Sequence, residues 1–234
     1  METPNERITF CSIIIPVLEE ETVINGVIDH LQGLEGNEKT EIIVVDGDPE
    51  GGTLIAISHG DVNKIKSPRG RGRQMNEGAR IAKGDILIFL HADTELPPDA
   101  LELIATAMYD ERCAAGAFDL GVKSERFIFR IIESVASLRS RITGIPFGDQ
   151  AIFMRKDYFD KIGGYKDIPI MEDVEMMGRI KKLGDRITII KQRVRTSPRR
   201  WEKEGIISCT LRNWVLQTLY LLRVSPERLS KLYR

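Results

Sequence analysis

Two side chains that can bind a divalent metal, His91 and Asp93, stand two residues apart directly after a short apolar run. The run, residues 86–90, is typical of a strand buried on both faces of a parallel sheet. Ligands of open α/β sheets bind beyond the carboxyl ends of the strands. Mn²⁺ and Mg²⁺ prefer oxygen, and Mn²⁺ also accepts imidazole. The pattern predicts a cation bridging a diphosphate; a surface loop with one capping Asp is the alternative.

Asp46 and a run of arginines are the candidates for binding the rest of such a ligand. Asp46 follows the apolar residues 41–45 and lies beside glycines, where an acid can hydrogen-bond a ribose or a base. An Asx-turn or a helix cap is equally open. Arg69, Arg71 and Arg73 alternate with glycine before a predicted helix, an arrangement that favours anions. A solvated basic loop would have the same composition.

Glu172 and Asp173 open another predicted helix, whose dipole stabilises a carboxylate anion. Asp173 is therefore either an N-cap or, at the edge of a cleft, a general base towards a hydroxyl. Trp201 follows two arginines. It is interpreted either as an anchored aromatic or as a platform for a sugar beside an anion site.

The elements that must position these residues alternate between strand and helix over the first ninety residues, which predicts a doubly wound parallel sheet. Strands are expected at residues 8–17, 41–45, 62–66 and 86–90, with helices at about 19–34, 53–59 and 74–82. Later strands are expected at residues 114–122, 151–155, 186–190 and 192–197. Helices are expected at residues 99–112, 156–162 and 171–183, and amphipathic helices along Ile128, Ile131, Val135, Leu138 and Ile142 and along Ile207, Leu211, Trp214, Thr218 and Leu222.

Composition is that of a compact globular protein. The 234 residues are 42% apolar and 29% charged, with a net charge of −1, so nucleic acid is not an expected partner. Three widely spaced cysteines exclude a zinc site and a disulfide framework, which favours a reducing cytoplasm. We expect neither a signal peptide nor a membrane span.

Seven short pieces in this order resemble family 2 glycosyltransferases with the GT-A fold, and together they cover most of the chain. The first four pieces are IIIP with Glu19-Glu20, VVDG at residues 44–47, GRGRQMN at residues 70–76 and GDILIFLHADT at residues 84–94. The last three pieces are Gly148-Asp149-Gln150, Glu172-Asp173 and Arg200-Trp201. GRGRQMN with FLHADT is similar to a small soluble bacterial subfamily that has His-Ala-Asp in place of Asp-x-Asp.

The resemblance implies an α/β, Rossmann-like GT-A domain over residues 1–234, with three layers, a mostly parallel sheet and a small acceptor-side subregion. Residues 1–95 would bind the nucleotide-sugar, 96–205 the acceptor, and 206–234 would form the C-terminal amphipathic helix. It further implies inverting transfer from a nucleotide-diphospho-sugar, with Asp173 as general base, His91 and Asp93 as metal ligands, and a set of donor and acceptor residues. The donor set is Pro16, Glu20, Asp46, Arg71, Arg73, Asn76, Ala92 and Asp93; the acceptor set is Gly148, Asp149, Gln150, Glu172, Arg200 and Trp201.

Some positions depart from the family pattern. Glu19 replaces an expected Asn, Gly51 replaces a frequent second Asp, and Ser197 replaces the Gln of Gln-x-x-Arg-Trp in processive synthases. Long-polymer synthesis is therefore not expected. Two other functions stay open: a sugar nucleotidyltransferase, which would want a basic loop where residues 16–21 are acidic, and a non-catalytic nucleotide-binding module.

The final helix has a broad apolar face with Arg212 and Arg223 nearby. It packs on the core or on a second subunit as a homodimer, or it lies on a membrane surface and brings the site to a lipid-linked acceptor. The expected location is therefore cytoplasmic, with peripheral contact at the inner membrane surface left open.

Overall fold

The computed structural model describes residues 10–233. The strands are β1 (Cys11–Val17), β2 (Thr40–Asp46), β3 (Asn63–Lys66), β4 (Ile86–Phe89), β5 (Thr94–Glu95), β6 (Cys113–Asp119), β7 (Ile152–Arg155), β8 (Arg186–Arg193) and β9 (Arg195–Thr196). The helices are α1 (Ile24–Gln32), α2 (Gly52–Ala56), α3 (Arg71–Ile81), α4 (Ala100–Tyr109), α5 (Phe127–Thr143), α6 (Lys156–Lys161), α7 (Glu172–Lys182), α8 (Arg199–Glu204), α9 (Ile206–Leu221) and α10 (Pro226–Leu232).

Seven strands form one sheet in the order β3-β2-β1-β4-β7-β6-β8. β1 pairs in parallel with β2 and β4, β2 with β3, and β6 with β8, whereas β7 is antiparallel to both of its neighbours. The register aligns Val17 with Asp46 and Ile14 with Phe89. The carboxyl ends of β1, β2 and β4 therefore share one edge, as ligand binding in this fold class requires. β5 and β9 form a separate two-stranded sheet.

Two apolar layers sandwich the sheet. Alternate residues of each strand face opposite sides, so Ile13 and Ile15 pack with α1 and α4, and Ile14 packs with α3 and α7. A third, smaller cluster of Val122, Phe129, Trp201 and Cys209 joins α5, α8 and α9. The expected three-layer α/β arrangement with a mostly parallel sheet is confirmed.

Most predicted elements are present, with shifted ends. The predicted first strand began at residue 8, and residues 8 and 9 lie outside the described part. The two strands expected at 186–190 and 192–197 are one strand, β8, followed by the short β9. Helices α8 and α10 were not predicted, since each is short and polar in sequence. Within residues 10–233, no helix combines the length and apolar character that crossing a membrane requires.

Candidate active site

A cavity of about 570 Å³ lies beyond the carboxyl ends of β1 and β4. It is also bordered by the start of α7 and by α8, α9 and the residue after α10. Twelve of the site residues that the resemblance implies line this cavity, although they come from six separate stretches of the chain. They are Pro16, Glu20, Arg71, His91, Ala92, Asp93, Gly148, Asp149, Glu172, Asp173, Arg200 and Trp201.

Asp173 is held at the cavity by two backbone N–H groups. Gly148 donates to Oδ2 at 2.6 Å across the site, and Val174 donates to Oδ1 at 2.7 Å. The helix begins at Glu172 after Met171, which has φ 67°, so Asp173 lies in the first turn and is not the N-cap. These two N–H donors fix the orientation of the carboxylate at the N-terminus of α7. The position suits a proton acceptor that is fixed before a hydroxyl arrives.

Glu172 is 3% exposed, and its Oε1 lies 3.5 Å from Nη1 of the half-exposed Arg71. Loss of hydration raises the pKa of Glu172 to about 7, while Arg71 opposes the shift and Asp173 adds to it. Gly72 permits this approach of α3 to α7, because a Cβ there would meet the Lys166 carbonyl at 2.7 Å. Arg71 and Glu172 therefore form a proton-sensitive pair beside Asp173.

Arg199 connects two acidic residues of the cavity, Glu20 and Asp93. Its Nη2 donates to Oε1 of Glu20, and its Nε lies 3.7 Å from Oδ2 of Asp93. The backbone carbonyl of Asp93 also accepts from Ser197 N at 3.0 Å, which fixes the loop before α8 to the end of β4. The positively charged side chain of Arg199 thus lies next to the Asp93 carboxylate, where an anionic ligand or a metal would also bind.

His91 and Asp93 fit a divalent cation only in part. Burial, and secondly Arg71, lower the pKa of His91 to about 3, so its imidazole is neutral, which is the form that binds metals. Among residues 10–233, however, no group of three or more Asp, Glu, His or Cys side chains is arranged to hold a metal. These donors therefore suit a cation whose shell is completed by the oxygens of a bound diphosphate.

Asp149 is a third carboxylate of the cavity. Its Oδ1 is buried without a hydrogen-bond partner. Burial raises its pKa to about 6, against the attraction of Arg139, and Asp173 adds to the shift. Arg139 itself stacks over the Phe147 ring, with Cζ 3.5 Å from the centroid. The unpaired oxygen leaves Asp149 able to bind a hydroxyl.

Arg200 and Trp201 reach the cavity, but much of each side chain is engaged elsewhere. Arg200 donates to the Tyr233 hydroxyl and lies over its ring at 4.4 Å. Trp201 is 9% exposed and packs edge-to-face on Phe129 at 5.7 Å. Trp201 is thus an anchored aromatic with one edge on the cavity, and its role as a sugar platform stays a prediction.

Four predicted residues lie outside the cavity lining. Arg73 forms a bidentate pair with Asp167, Asn76 binds the backbone of Tyr165, and Gln150 donates to the Phe118 carbonyl. Their polar groups are used to join elements, so the structure gives them structural partners instead of ligands. Asp46 is fully buried next to the cavity residue Val17, and its Oδ2 has no partner.

A family model shows what these features belong to. The model of glycosyl transferase family 2 matches residues 12–166, about two thirds of the chain. The chain is a member of glycosyl transferase family 2. The matched part contains most of β1, all of β2 and β4 and the His91–Asp93 region, while Asp173 and α8 of this family 2 member lie beyond it. No curated protein matches the chain as a relative.

Solved structures have the same fold. The mannosyltransferase PcManGT from Pyrobaculum calidifontis, in complex with GDP-Man and Mn²⁺, superposes with a TM-score of 0.65 at 20% identity, over 83% of this chain and 58% of that one. TarS 1–349 from S. aureus gives 0.59 at 15% identity, over 81% and 61%, and its complex with UDP gives 0.60 at 16%, over 80% and 60%. Identity this low shows the GT-A fold alone. The chain spans about three fifths of the length of these structures.

Arg199 and Tyr233 are two of the cavity residues that sequence reasoning missed. Arg199 was passed over because the family pattern emphasises the following Arg-Trp pair. A cavity role for Tyr233 has no signal in the sequence, because α10 brings it back from the end of the chain.

Proposed function

We propose that this glycosyltransferase moves a sugar from a nucleotide-diphospho-sugar to an acceptor hydroxyl, with inversion at the anomeric carbon. The observation that carries the proposal is the convergence of Asp93 and Asp173 on one cavity at the carboxyl edge of the sheet. One carboxylate follows β4, where a donor diphosphate would lie, and the other opens α7, where an acceptor would enter. Neither alternative function receives a specific supporting observation.

The donor is proposed to lie along the edge formed by β1, β2 and β4. The unpaired Oδ2 of Asp46 would accept a hydrogen bond from the nucleoside, and Asp93 with His91 would hold a Mn²⁺ or Mg²⁺ ion shared with the diphosphate. Such an ion would neutralise phosphate charge and help the leaving group depart. Arg71 and Arg199 bring further positive charge to the same place. The neighbours with GDP-Man and UDP support a nucleoside diphosphate as the ligand class.

The reaction requires one proton acceptor and one site for developing negative charge. Asp173 takes the proton of the acceptor hydroxyl while the oxygen of that hydroxyl forms a bond to the anomeric carbon. The bond from that carbon to the phosphate oxygen breaks on the opposite face, and nucleoside diphosphate leaves with the electron pair. Arg71 and Arg199 stabilise this charge because they are fixed beforehand by Glu172 and Glu20. Asp149 would orient the acceptor.

The experiment is a comparison of nucleotide binding with turnover in Asp173→Asn. Calorimetric titration with UDP, GDP, CDP and dTDP, with and without Mn²⁺, identifies the donor base. Release of the nucleoside diphosphate from matching sugar donors then measures turnover with a panel of hydroxyl acceptors. We expect Asp173→Asn to keep nucleotide affinity and to lose roughly 10²–10⁴-fold in kcat, the usual contribution of a general base.

Asp61→Asn is the matched control, because Asp61 is an exposed carboxylate that binds only Gln32 outside the cavity. Its turnover should equal that of the unchanged protein. Undiminished turnover in Asp173→Asn would remove Asp173 as the base. Absence of binding to all four nucleotides would favour a non-catalytic module.

A further inference from the structure

Helix α5 presents its apolar face to solvent. Phe127, Ile131, Leu138 and Ile142 are 76%, 47%, 58% and 72% exposed, and they recur every three or four residues with Val135 between them. Four of the five residues that marked the helix as amphipathic in the sequence belong to this stripe, and the fifth, Ile128, packs against the third cluster. An apolar stripe normally faces the core, so its exposure here requires a physical cause.

The cause is a polar anchor on the opposite face of α5. Glu133 is completely buried, where Oε1 accepts from Val122 N at 2.7 Å and Oε2 lies 3.0 Å from Nη1 of Arg193. Ser140, one turn from the end of the helix, donates to Oε1 of Gln150 at 2.8 Å. Turning the stripe inward would separate Glu133 and Ser140 from these partners and leave the buried N–H of Val122 without an acceptor, which opposes the gain from burying the stripe.

Helix α9 repeats the arrangement. Cys209 and Leu216 are its buried residues, whereas its exposed large side chains all lie on the other side. The two helices meet at the cluster of Phe129, Trp201 and Cys209, and on each helix the exposed stripe lies on the side opposite this small core. The α9 stripe consists of Ile207, Leu211, Trp214, Val215, Leu221 and Leu222. Single exposed apolar residues are ordinary, but exposed stripes on two helices that share one core are of the kind that marks an interaction site, and the two stripes together are called the patch.

Positive charge accompanies the two stripes. Residues 206–233 contain four Lys or Arg and one Glu, although the whole chain has a net charge of −1. A second cavity, of about 550 Å³, lies beside the start of α5, where Lys123, Arg130, Arg193 and Arg195 outnumber Glu125 and Glu133 in the lining. Two copies of the chain meeting through this patch would bring like charges together, since a two-fold contact places the same surface on both sides. A negatively charged apolar partner does not have this penalty.

We propose that α5 and α9 together form a docking surface for an anionic lipid bilayer. Exposed Leu, Ile and Phe side chains would enter the boundary of the acyl chains, Trp214 would lie at the headgroup level, and the basic cavity would bind headgroup phosphates. The surface is independent of the proposed reaction, but it adjoins the site: the inner side of α9 lines the active-site cavity with Cys209, Asn213 and Leu216. An acceptor with a lipid tail could then reach the cavity from the membrane.

Sedimentation with vesicles tests the proposal without any sugar substrate. The unchanged protein should bind vesicles of phosphatidylglycerol and phosphatidylcholine, bind weakly to phosphatidylcholine alone, and dissociate as salt is raised. Leu211→Ser combined with Trp214→Ser, and separately Ile131→Ser combined with Leu138→Ser, should each weaken binding about tenfold or more through lost apolar burial. Ile55→Ser is the matched control, because Ile55 is 80% exposed on α2.

Absence of binding to anionic vesicles overturns the proposal, as does equal weakening by Ile55→Ser. A dimer in light scattering that both double variants dissociate would instead assign the patch to a second copy. Circular dichroism of each variant verifies folding. Nucleotide calorimetry separates this result from the proposed transfer, because its outcome does not depend on vesicles.

Discussion

Glu172→Gln tests the electrostatics of the site without any ligand. In the folded protein the pKa of Glu172 is raised to about 7 from 4.5, chiefly by burial. At pH values between these two pKa values, Glu172 of the folded protein keeps a proton that the unfolded protein has released. The contribution of Glu172 to the free energy of unfolding therefore falls as pH rises from about 4.5 to about 7, and it does not change at higher pH. Glutamine resembles the protonated acid and does not titrate, so the variant should lack this decline.

The size of the effect follows from the shift. A rise of about 2.5 units corresponds to roughly 3 kcal/mol at about 1.4 kcal/mol per unit. Urea unfolding at pH 5 and pH 8 measures the free energy of unfolding for both proteins. The stability of Glu172→Gln relative to the unchanged protein should be higher at pH 8 than at pH 5 by up to about 3 kcal/mol. Because both proteins are compared at the same two pH values, the contributions of titrating groups that the substitution does not affect cancel.

Glu41→Gln is the control, because Glu41 is a partly exposed carboxylate bound to Ser12 and Asn63 at the far end of β2. Its relative stability should not rise between pH 5 and pH 8. If Glu172→Gln gives the same difference at both pH values, Glu172 is ionised throughout. The interpretation of Arg71 and Glu172 as a proton-sensitive pair would then be wrong.

Two further substitutions test the metal position and the packing of the site. Asp93→Ala should abolish the Mn²⁺-dependent part of nucleotide affinity in calorimetry, and an unchanged dependence on Mn²⁺ would remove Asp93 from the metal site. Gly78→Ala should destabilise the protein by about 1–3 kcal/mol in urea unfolding, because its Cβ would lie 2.5 Å from Cγ2 of Ile14. Gly26→Ala, in α1 with nothing within 4 Å, should instead be neutral or stabilise by up to about 1 kcal/mol, and equal effects would contradict the packing argument.

The carboxyl edge of the sheet could be predicted from the sequence because strand burial and strand ends are local signals. Buried parallel strands are continuous apolar runs, so the runs that form β2 and β4 predict Asp46 and Asp93 at one edge of the sheet. The motif Glu172-Asp173 likewise carries its own helix start. The prediction of glycosyl transfer came from the order of such pieces and not from any one of them.

The partners of each side chain could not be predicted, because they depend on distant parts of the chain. Arg73 and Arg71 are two residues apart in the same glycine-rich stretch, yet one binds Asp167 outside the cavity and the other faces Glu172 inside it. Successive odd positions on a helix point in different directions, about 200° apart. Only the placement of α7 and of the loop before it decides which arginine meets the ligand.

Helix α5 shows the same limit at the scale of a whole element. Periodicity establishes that a helix has an apolar stripe, but the direction of that stripe depends on what competes for the interior. Here the competing groups are Glu133 and Ser140, which are buried and hydrogen-bonded. A buried carboxylate with both oxygens engaged holds the helix in place because breaking such a network costs several kcal/mol. The stripe is left facing outward, where the proposed contact with a bilayer surface would remove its apolar side chains from water.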